Sequence, residues 1–310
     1  MEVVYFPDAP RPRWTRPVAA LGNFDGLHRG HMKLIERVRV QAAEWSGTPV
    51  VVTFEPHPPR VLRPDKAPAL LMTLDQKLEG FERAGIRGVA IVRFTPDLAR
   101  WEPEVFVEAV IVDWLRAAEV WVGANFLFGR DRAGTFSRLR ALGEERGFRA
   151  EKIDPVRYKD FVVSSSRVRH LLAEGRVDEA GALLGHHYFI DGRVVHGDGR
   201  GRELGCPTAN LDTANELLPA YGVYATVAIL DGVHQRAVTS VGVRPTIGEG
   251  PVTVETHLLD VSPDLYGASM RLAFVKRLRE ERAFDGLAAL GAQIAVDCAD
   301  ARALFDQMQL

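Results

Sequence analysis

At 310 residues the chain is long enough for two domains, each with its own core. Hydrophobic residues make up 46% and charged ones 26%, and no stretch nears the roughly 20 apolar residues of a membrane span, so a globular, cytoplasmic protein without a membrane partner is expected. The formal net charge of −2 supplies no global positive field for a nucleic-acid partner, and the two cysteines, Cys206 and Cys298, have the spacing of neither a zinc site nor a disulfide framework. Both are expected to be reduced and structural. Residues 1–14 carry prolines and charges instead of a basic stretch followed by an apolar run, so they do not read as a signal peptide. A homo-oligomer is compatible with these numbers.

Along the chain, short apolar runs at 18–24, 50–54, 89–94 and 120–123 predict strands. Helical patterns lie between them. The clearest follows Gly30, where Leu34, Ile35, Val38 and Ala42 recur on one face, and residues 73–84 and 104–115 have the same character. Strand–helix alternation predicts an α/β, Rossmann-like domain over residues 1–185, a parallel sheet with helices on both faces. In such sheets ligands sit beyond the carboxyl ends of the strands, so a site is expected at the turn after Phe24. Residues 168–184 predict short helices broken at Gly175. From about Gly185 the rhythm changes. Residues 224–230 and 233–243 read as a hairpin joined by Asp231-Gly232, a pair suited to a type I′ turn. Residues 253–260 and 270–276 add strands, the latter with Leu272 and Phe274 alternating with Arg271 and Ala273. Phe284, Leu287, Leu290, Ile294 and Cys298 recur at helical spacing, so residues 186–310 predict a small antiparallel β-barrel capped by a C-terminal helix. The basic run Lys276-Arg277-Leu278-Arg279 reads as a solvated strand end.

Gly22-Asn23-Phe24-Asp25-Gly26-Leu27-His28-Arg29-Gly30-His31 lies where the first strand turns into the first helix. Small residues let backbone amides approach a ligand, and the unpaired N–H groups of a helix start attract phosphate. His28 and His31, three residues apart, project toward the same anion and could stabilise charge as pyrophosphate leaves. The alternative is that one histidine caps the helix while the other packs. A zinc site is a weaker reading, because no nearby residues offer the remaining ligands. The string resembles the His-x-Gly-His signature of the nucleotidyltransferase superfamily, in the form carried by bacterial FMN adenylyltransferases. The resemblance implies that Gly22, Asn23, Phe24, Asp25 and Gly30 help bind nucleotide and phosphate, with His28 and His31 catalytic. Ser164-Ser165-Ser166-Arg167-Val168-Arg169 stands in the place of the superfamily motif Ser-Ser-Thr-x-x-Arg; serine at 166 keeps the hydroxyl, and Arg169 would hold the ATP phosphates as a further catalytic group. Gly123-Ala124-Asn125-Phe126-Leu127-Phe128-Gly129 is similar to another family segment, implying that Asn125 places nucleotide and flavin phosphate. Phe54-Glu55-Pro56-His57-Pro58 also matches, although proline-bounded loop geometry is a sufficient explanation.

In the second half, Gly197-Asp198-Gly199-Arg200-Gly201-Arg202 invites a dinucleotide reading, which fails because Arg202 stands where the last glycine belongs. Gly192 and Gly197 have P-loop spacing, but Asp198 and Gly199 follow where Lys and Ser or Thr are required. Gly201-Arg202-Glu203-Leu204-Gly205-Cys206-Pro207-Thr208-Ala209-Asn210-Leu211 instead resembles the Gly-Phe-Pro-Thr-Ala-Asn loop of riboflavin kinases, with Cys206 for the usual phenylalanine. The resemblance implies that Thr208 and Asn210 bind magnesium and nucleotide phosphates, and it adds Gly197 to the nucleotide-binding set; hard magnesium suits oxygen ligands. Further matches follow in family order: Gly222-Val223-Tyr224-Ala225, Arg244-Pro245-Thr246, Val254-Glu255-Thr256-His257, Asp264-Leu265-Tyr266-Gly267 and Leu278-Arg279-Glu280-Glu281. They imply Glu255 as catalytic base and flavin contacts for Arg244, Thr246, Tyr266, Arg279 and Glu281. Strand alternation puts Glu255 on the face of His257, away from that of Val254 and Thr256. Taken without the resemblance, a strand glutamate is a solvated surface charge.

Together the two motif sets resemble the bacterial bifunctional riboflavin kinase/FMN adenylyltransferases. That resemblance implies ATP-dependent phosphorylation of riboflavin to FMN by the C-terminal half, then transfer of AMP from ATP to FMN by the N-terminal half, giving FAD and pyrophosphate, with Mg2+ as cofactor. Phosphorylating a hydroxyl requires loss of its proton, whereas a phosphate monoester with a second pKa of roughly 6 is already ionised. A general base is therefore expected in one site only, and a covalent enzyme intermediate in neither. The rival reading is a nucleotidyltransferase for another phosphate ester with a regulatory flavin-binding barrel; a non-enzymatic flavin-binding module is a further alternative.

Overall fold

Burial on both faces explains why the four central strands of the first unit, Met1–Ser164, read as apolar runs. In the computed structural model, which describes residues 1–197, 205–243 and 252–308, Val18–Leu21 is buried at every position. The strands are β1 (Glu2–Phe6), β2 (Val18–Leu21), β3 (Pro49–Glu55), β4 (Gly88–Arg93), β5 (Glu119–Val122) and β6 (Arg149–Lys152). They form one parallel sheet in the order β1-β4-β3-β2-β5-β6. The central four were expected, while β1 and β6 extend the sheet at its two edges. The first strand is shorter than predicted: it ends at Leu21, and Gly22 to Phe24 belong to the turn.

α1 (Arg29–Glu44) buries Leu34, Ile35, Val38 and Ala42, the four residues of the predicted face, and packs on β2, β3 and β5. α2 (Pro58–Leu62) is short. α3 (Leu74–Arg83) begins with a capping box, in which Thr73 accepts the Gln76 amide and the Gln76 side chain accepts the Thr73 amide. α4 (Pro103–Phe106) widens into a π-helical stretch, Val107–Leu115, where a regular helix was predicted. There the Ala117 amide reaches back to the Ile111 carbonyl, and Val107, Val110, Ile111, Trp114 and Leu115 are buried. α5 (Phe136–Arg146) packs on β6, and a small hairpin, β7 (Arg157–Tyr158) with β8 (Phe161–Val162), follows.

The second unit, Ser165–Leu310, opens with α6 (Ser165–Ala173) and α7 (Val177–Leu184), separated at Gly175 as expected. That glycine has φ +76°, and a Cβ on it would lie 2.7 Å from the Arg277 side chain. β9 (Tyr188–Val195), β10 (Ala209–Thr213), β11 (Gly222–Leu230), β12 (Val233–Val243), β13 (Val252–Leu258) and β14 (Ser269–Glu280) close into an antiparallel barrel in the order β10-β13-β12-β11-β14-β9. Asp231 and Gly232 both have positive φ, +48° and +79°, as a type I′ turn requires. Inside, the hydroxyls of Thr226, Thr239 and Thr256 form a buried ladder at 2.7 and 3.0 Å, satisfying one another where water is excluded.

α8 (Leu287–Met308) caps the barrel with Cys298, Ala301 and Phe305 against Val223, Ala225, Val238, Leu259 and Val275. Its buried face begins later than the apolar repeat suggested: Phe284 precedes the helix and Leu287 is exposed, whereas Asp297 is buried. The basic run on β14 is not a solvated end. Arg277 donates to the Tyr221 carbonyl, and Arg279 grips Asp297 with Nε at 2.8 Å and Nη2 at 2.8 Å, an anchor for α8 that apolar periodicity does not report. Cys206 and Cys298 are both free thiols. Among the described residues no helix is long and apolar enough to cross a membrane.

Candidate active sites

From β2 the chain proceeds to β3 and β4 on one side of the sheet and returns to β5 and β6 on the other, so the topological switch point lies between β2 and β5. Their last residues, Leu21 and Val122, are register partners. The turn at 22–28 and the turn beginning at Gly123 therefore leave the sheet side by side, bringing the predicted Asn125 segment to the same edge as the His28 segment. Asn125 is exposed there.

The first turn is strained and held by packing. Phe24 and Leu27 have φ of +52° and +41°, a region that costs a bulky L-residue on the order of 1–3 kcal/mol. Both side chains are buried; Phe24 meets Phe81 edge-on at 5.4 Å and lies 5.2 Å from the His31 ring. Gly22 suits this crowding, since a Cβ there would come within 3.3 Å of the Phe24 ring, while Asn23 is exposed. Asp25 is buried beneath the turn, where its carboxylate accepts the Leu71 amide at 3.0 Å and the Met72 amide at 3.3 Å. These bonds tie the turn to the chain just before α3.

His28 caps α1, its Nδ1 accepting the His31 amide at 3.3 Å, so the capping alternative is realised. The same geometry stacks the two imidazoles with centroids 3.6 Å apart and 13° between planes. Gly30 permits this, because a Cβ there would stand only 3.1 Å from the His28 ring. The first turn of α1 carries no acidic residue to compete with an anion. Burial lowers the His28 pKa to about 4, partly offset by a backbone hydrogen bond. Burial also holds His31 well below the ordinary histidine range, helped by the charges of His28 and Lys77. Both rings are thus neutral at pH 7 and act through hydrogen bonds. His31 Nδ1 is buried without a hydrogen-bond partner among the described residues. Ser164 ends the first unit, whereas Ser165, Ser166 and Arg169 lie on α6, within the second.

Lys77 has no counterpart in the sequence reading. In Asp75-Gln76-Lys77-Leu78-Glu79 it looks like an ordinary surface lysine, yet it is 3% exposed. Burial lowers its pKa despite the opposing influence of Asp25 and Glu55. Its one sequence signal is a place on the same helical face as Gly80 and Phe81.

In the barrel, Asn210 on β10 is the register partner of Glu255 on β13. Thr208 and Asn210 alternate with Ala209, while Glu255 and His257 alternate with Thr256, so the motif side chains share one face of this ribbon. Burial supports the expected facing: Val254, Thr256 and Leu258 are buried, Glu255 and His257 only partly so. A hydrogen bond of 2.9 Å between His257 Nδ1 and the Pro207 carbonyl fixes the chain entering Thr208. Gly197 lies under the Asn210 carboxamide, whose Cγ and Oδ1 would stand 2.6 and 2.9 Å from a Cβ at that position. Gly197, Asn210 and Glu255, drawn from separate motifs, are thereby assembled.

Thr208 and Tyr266 line a cavity of about 530 Å³, bounded also by Val194, Thr256, Leu258 and Asp264. Tyr266 stacks on His196, centroids 3.8 Å apart. Glu255 does not line this cavity. Arg279 is occupied by Asp297, and Glu281 lies against Gly242, where burial raises its pKa above the ordinary glutamate value against the pull of Arg279. Arg244, Thr246 and residues 198–204 lie outside the described residues. Among those described, no group of three His, Cys, Asp or Glu side chains could hold a metal.

Residues 11–167 match the FAD synthetase family and residues 184–305 the riboflavin kinase family. The bifunctional riboflavin kinase/FMN adenylyltransferase of Pseudomonas fluorescens is 39% identical over 295 residues, spanning 95% of this chain and 94% of that protein. Its namesake from Escherichia coli strain K12 is 38% identical over 291 residues, spanning 93% and 92%. A crystal structure titled macrolide-efflux protein, from Streptococcus pneumoniae, shares the fold of the whole chain, with a TM-score of 0.87, 27% identity and coverage of 97% and 99%. With both halves matched in order and at full length, the chain belongs to the bifunctional riboflavin kinase/FMN adenylyltransferase family, two ATP-dependent transferases of FAD biosynthesis on one polypeptide.

Proposed function

We propose that residues 186–310 phosphorylate riboflavin with Glu255 as general base, and that residues 1–185 transfer AMP to FMN without a base, both in the cytoplasm. The observation that carries the division is the pairing of Glu255 with Asn210, because it sets a partly exposed carboxylate beside the nucleotide-binding residues of the barrel, whereas Asp25, in the other turn, is buried and bound to the Leu71 and Met72 amides. Glu255 takes the proton of the riboflavin 5′-hydroxyl as that oxygen attacks the γ-phosphorus of ATP. Thr208 and Asn210 hold the nucleotide phosphates, with Gly197 making room for the Asn210 carboxamide. Their hydroxyl and carboxamide oxygens also suit a hard dication, and Mg2+ held there would neutralise charge on the ATP phosphates. Tyr266 and its neighbours give the cavity an apolar wall beside Thr208.

In the other site the attacking atom is an oxygen of the FMN phosphate, already ionised at neutral pH. It bonds to the α-phosphorus of ATP as the bond to the pyrophosphate oxygen breaks. The neutral imidazoles of His28 and His31, the amides at the start of α1 and Asn125 orient the phosphates and take up the developing charge. Incubating the purified chain with riboflavin, ATP and Mg2+ and resolving the flavins by chromatography tests the proposal. FMN followed by FAD is expected. FAD from added FMN, with no FMN from riboflavin, would leave the barrel a regulatory module and overturn it.

A further inference from the structure

α3 meets the adenylyl-transfer turn along a single face. A Cβ on Gly80 would overlap Leu27 Cδ1, and Phe81 packs on Phe24. Lys77 stands three and four residues before this pair, on the same face and one turn nearer the start of the helix. Helical side chains lean toward the N-terminus, which carries Lys77 beyond the Phe24–Phe81 contact toward the part of the turn where Phe24 meets His31. The placement is rigid: Asp25 holds Leu71 and Met72, and the capping box of Thr73 and Gln76 sets the first turn of α3. At 3% exposure the residue has little bulk water around it. The charges of Asp25 and Glu55 act on it and its own charge acts on His31; Asp25 follows β2 and Glu55 ends β3, at the carboxyl edge of the sheet where a nucleotidyl donor is expected to lie.

This matters because the two histidines cannot supply charge. Both are neutral at pH 7, while transfer of AMP sends an electron pair onto the departing pyrophosphate. A fixed cation in a poorly hydrated place stabilises that charge more than one in water would. We propose that Lys77 is a further catalytic residue of adenylyl transfer, its ammonium contacting the ATP phosphates beside His31 and stabilising the pyrophosphate as it leaves. The proposal rests on the reading of the His28–His31 turn as the adenylyl-transfer site. No proton moves: the new bond joins the FMN phosphate oxygen to the α-phosphorus, the old one breaks toward pyrophosphate, and Lys77 stays an ammonium throughout.

The test uses the full chain with Lys77→Met, Lys77→Arg and His31→Ala. FAD formation from FMN and ATP is measured as kcat and KM, the reverse reaction from FAD and pyrophosphate is followed, and riboflavin phosphorylation reports on folding elsewhere. Lys77→Met should lower kcat about 100-fold or more with KM for FMN changed less than about threefold, and raise KM for pyrophosphate in reverse. Lys77→Arg, which restores the charge, should recover at least a tenth of the lost rate. If Lys77→Met keeps its rate within about threefold while His31→Ala loses it, Lys77 has no catalytic part although the site is correct. If His31→Ala itself retains FAD formation, the site reading fails first. A lowered melting temperature with equal loss in the Met and Arg variants would make Lys77 structural and overturn the proposal.

Discussion

Asn210 and Glu255 face each other across the β10–β13 pairing, and Gly197 leaves the space into which the Asn210 carboxamide fits. Directly opposed residues of an antiparallel pair have Cβ atoms about 5 Å apart, near enough for one side chain to set the position of the other. Gly197→Ala should therefore displace the carboxamide toward Glu255. We expect kcat for riboflavin phosphorylation to fall about tenfold or more, with FAD formation from added FMN unchanged, as read by chromatography of the two reactions. An unaltered kinase rate would mean that the carboxamide has no part in the site.

His28 makes stability depend on pH. Its pKa is about 4 in the folded chain against 6.5 for the ordinary group, so the unfolded chain takes up the proton first as pH falls. The stabilisation from keeping the ring neutral is fully present above pH 6.5 and is lost progressively as pH falls toward 4, below which no more is lost. The shift corresponds to about 3 kcal/mol. His28→Asn retains an acceptor for the His31 amide and removes the titration. Denaturant midpoints at pH 7 and pH 4.5 should differ less in this variant than in the parent, and equal differences would contradict the assignment.

Arg279 and Asp297 join β14 to α8 through a bidentate contact, to which the Gln293 carboxamide donates at 2.8 Å. Asp297 is almost wholly buried, so Arg279→Met would leave an unpaired carboxylate in the interior. Losing one partner of such a pair costs about 3 kcal/mol or more. The Arg279→Met, Asp297→Leu double variant should recover much of that loss, since an apolar pair removes the stranded charge. Denaturation of the four-member cycle measures it. An unchanged midpoint for Arg279→Met, with a higher KM for riboflavin, would instead make Arg279 a flavin group that contributes nothing to the docking of α8.

What the sequence disclosed depended on the range of the interaction. Leu34, Ile35, Val38 and Ala42 announced α1 by local spacing, and the Asp231-Gly232 pair announced its hairpin. β6, written Arg-Ala-Glu-Lys, buries only Ala150 and has almost no apolar pattern; β1 stands alone beside a proline-rich stretch, with its partner β4 more than 80 residues away in sequence. The His28–His31 pair was legible because a spacing of three residues at a helix start brings side chains together whatever else the fold does. Asp25, by contrast, gains its place from amides 46 and 47 residues away, and Lys77 from a helix packed on a turn. Glu255 and Asn210 were visible as family motifs, but their opposition is a matter of strand register across 45 residues and has no local signature.

In the proposed function two separate sites divide the labour, with a base at Glu255 and none at His31. Measuring both reactions in Glu255→Gln and His31→Ala tests it most directly. Glu255→Gln should lower riboflavin phosphorylation by about 100-fold or more and leave FMN-to-FAD conversion intact, and His31→Ala should do the reverse. Equal loss of both activities in either well-folded variant would contradict the two-site account.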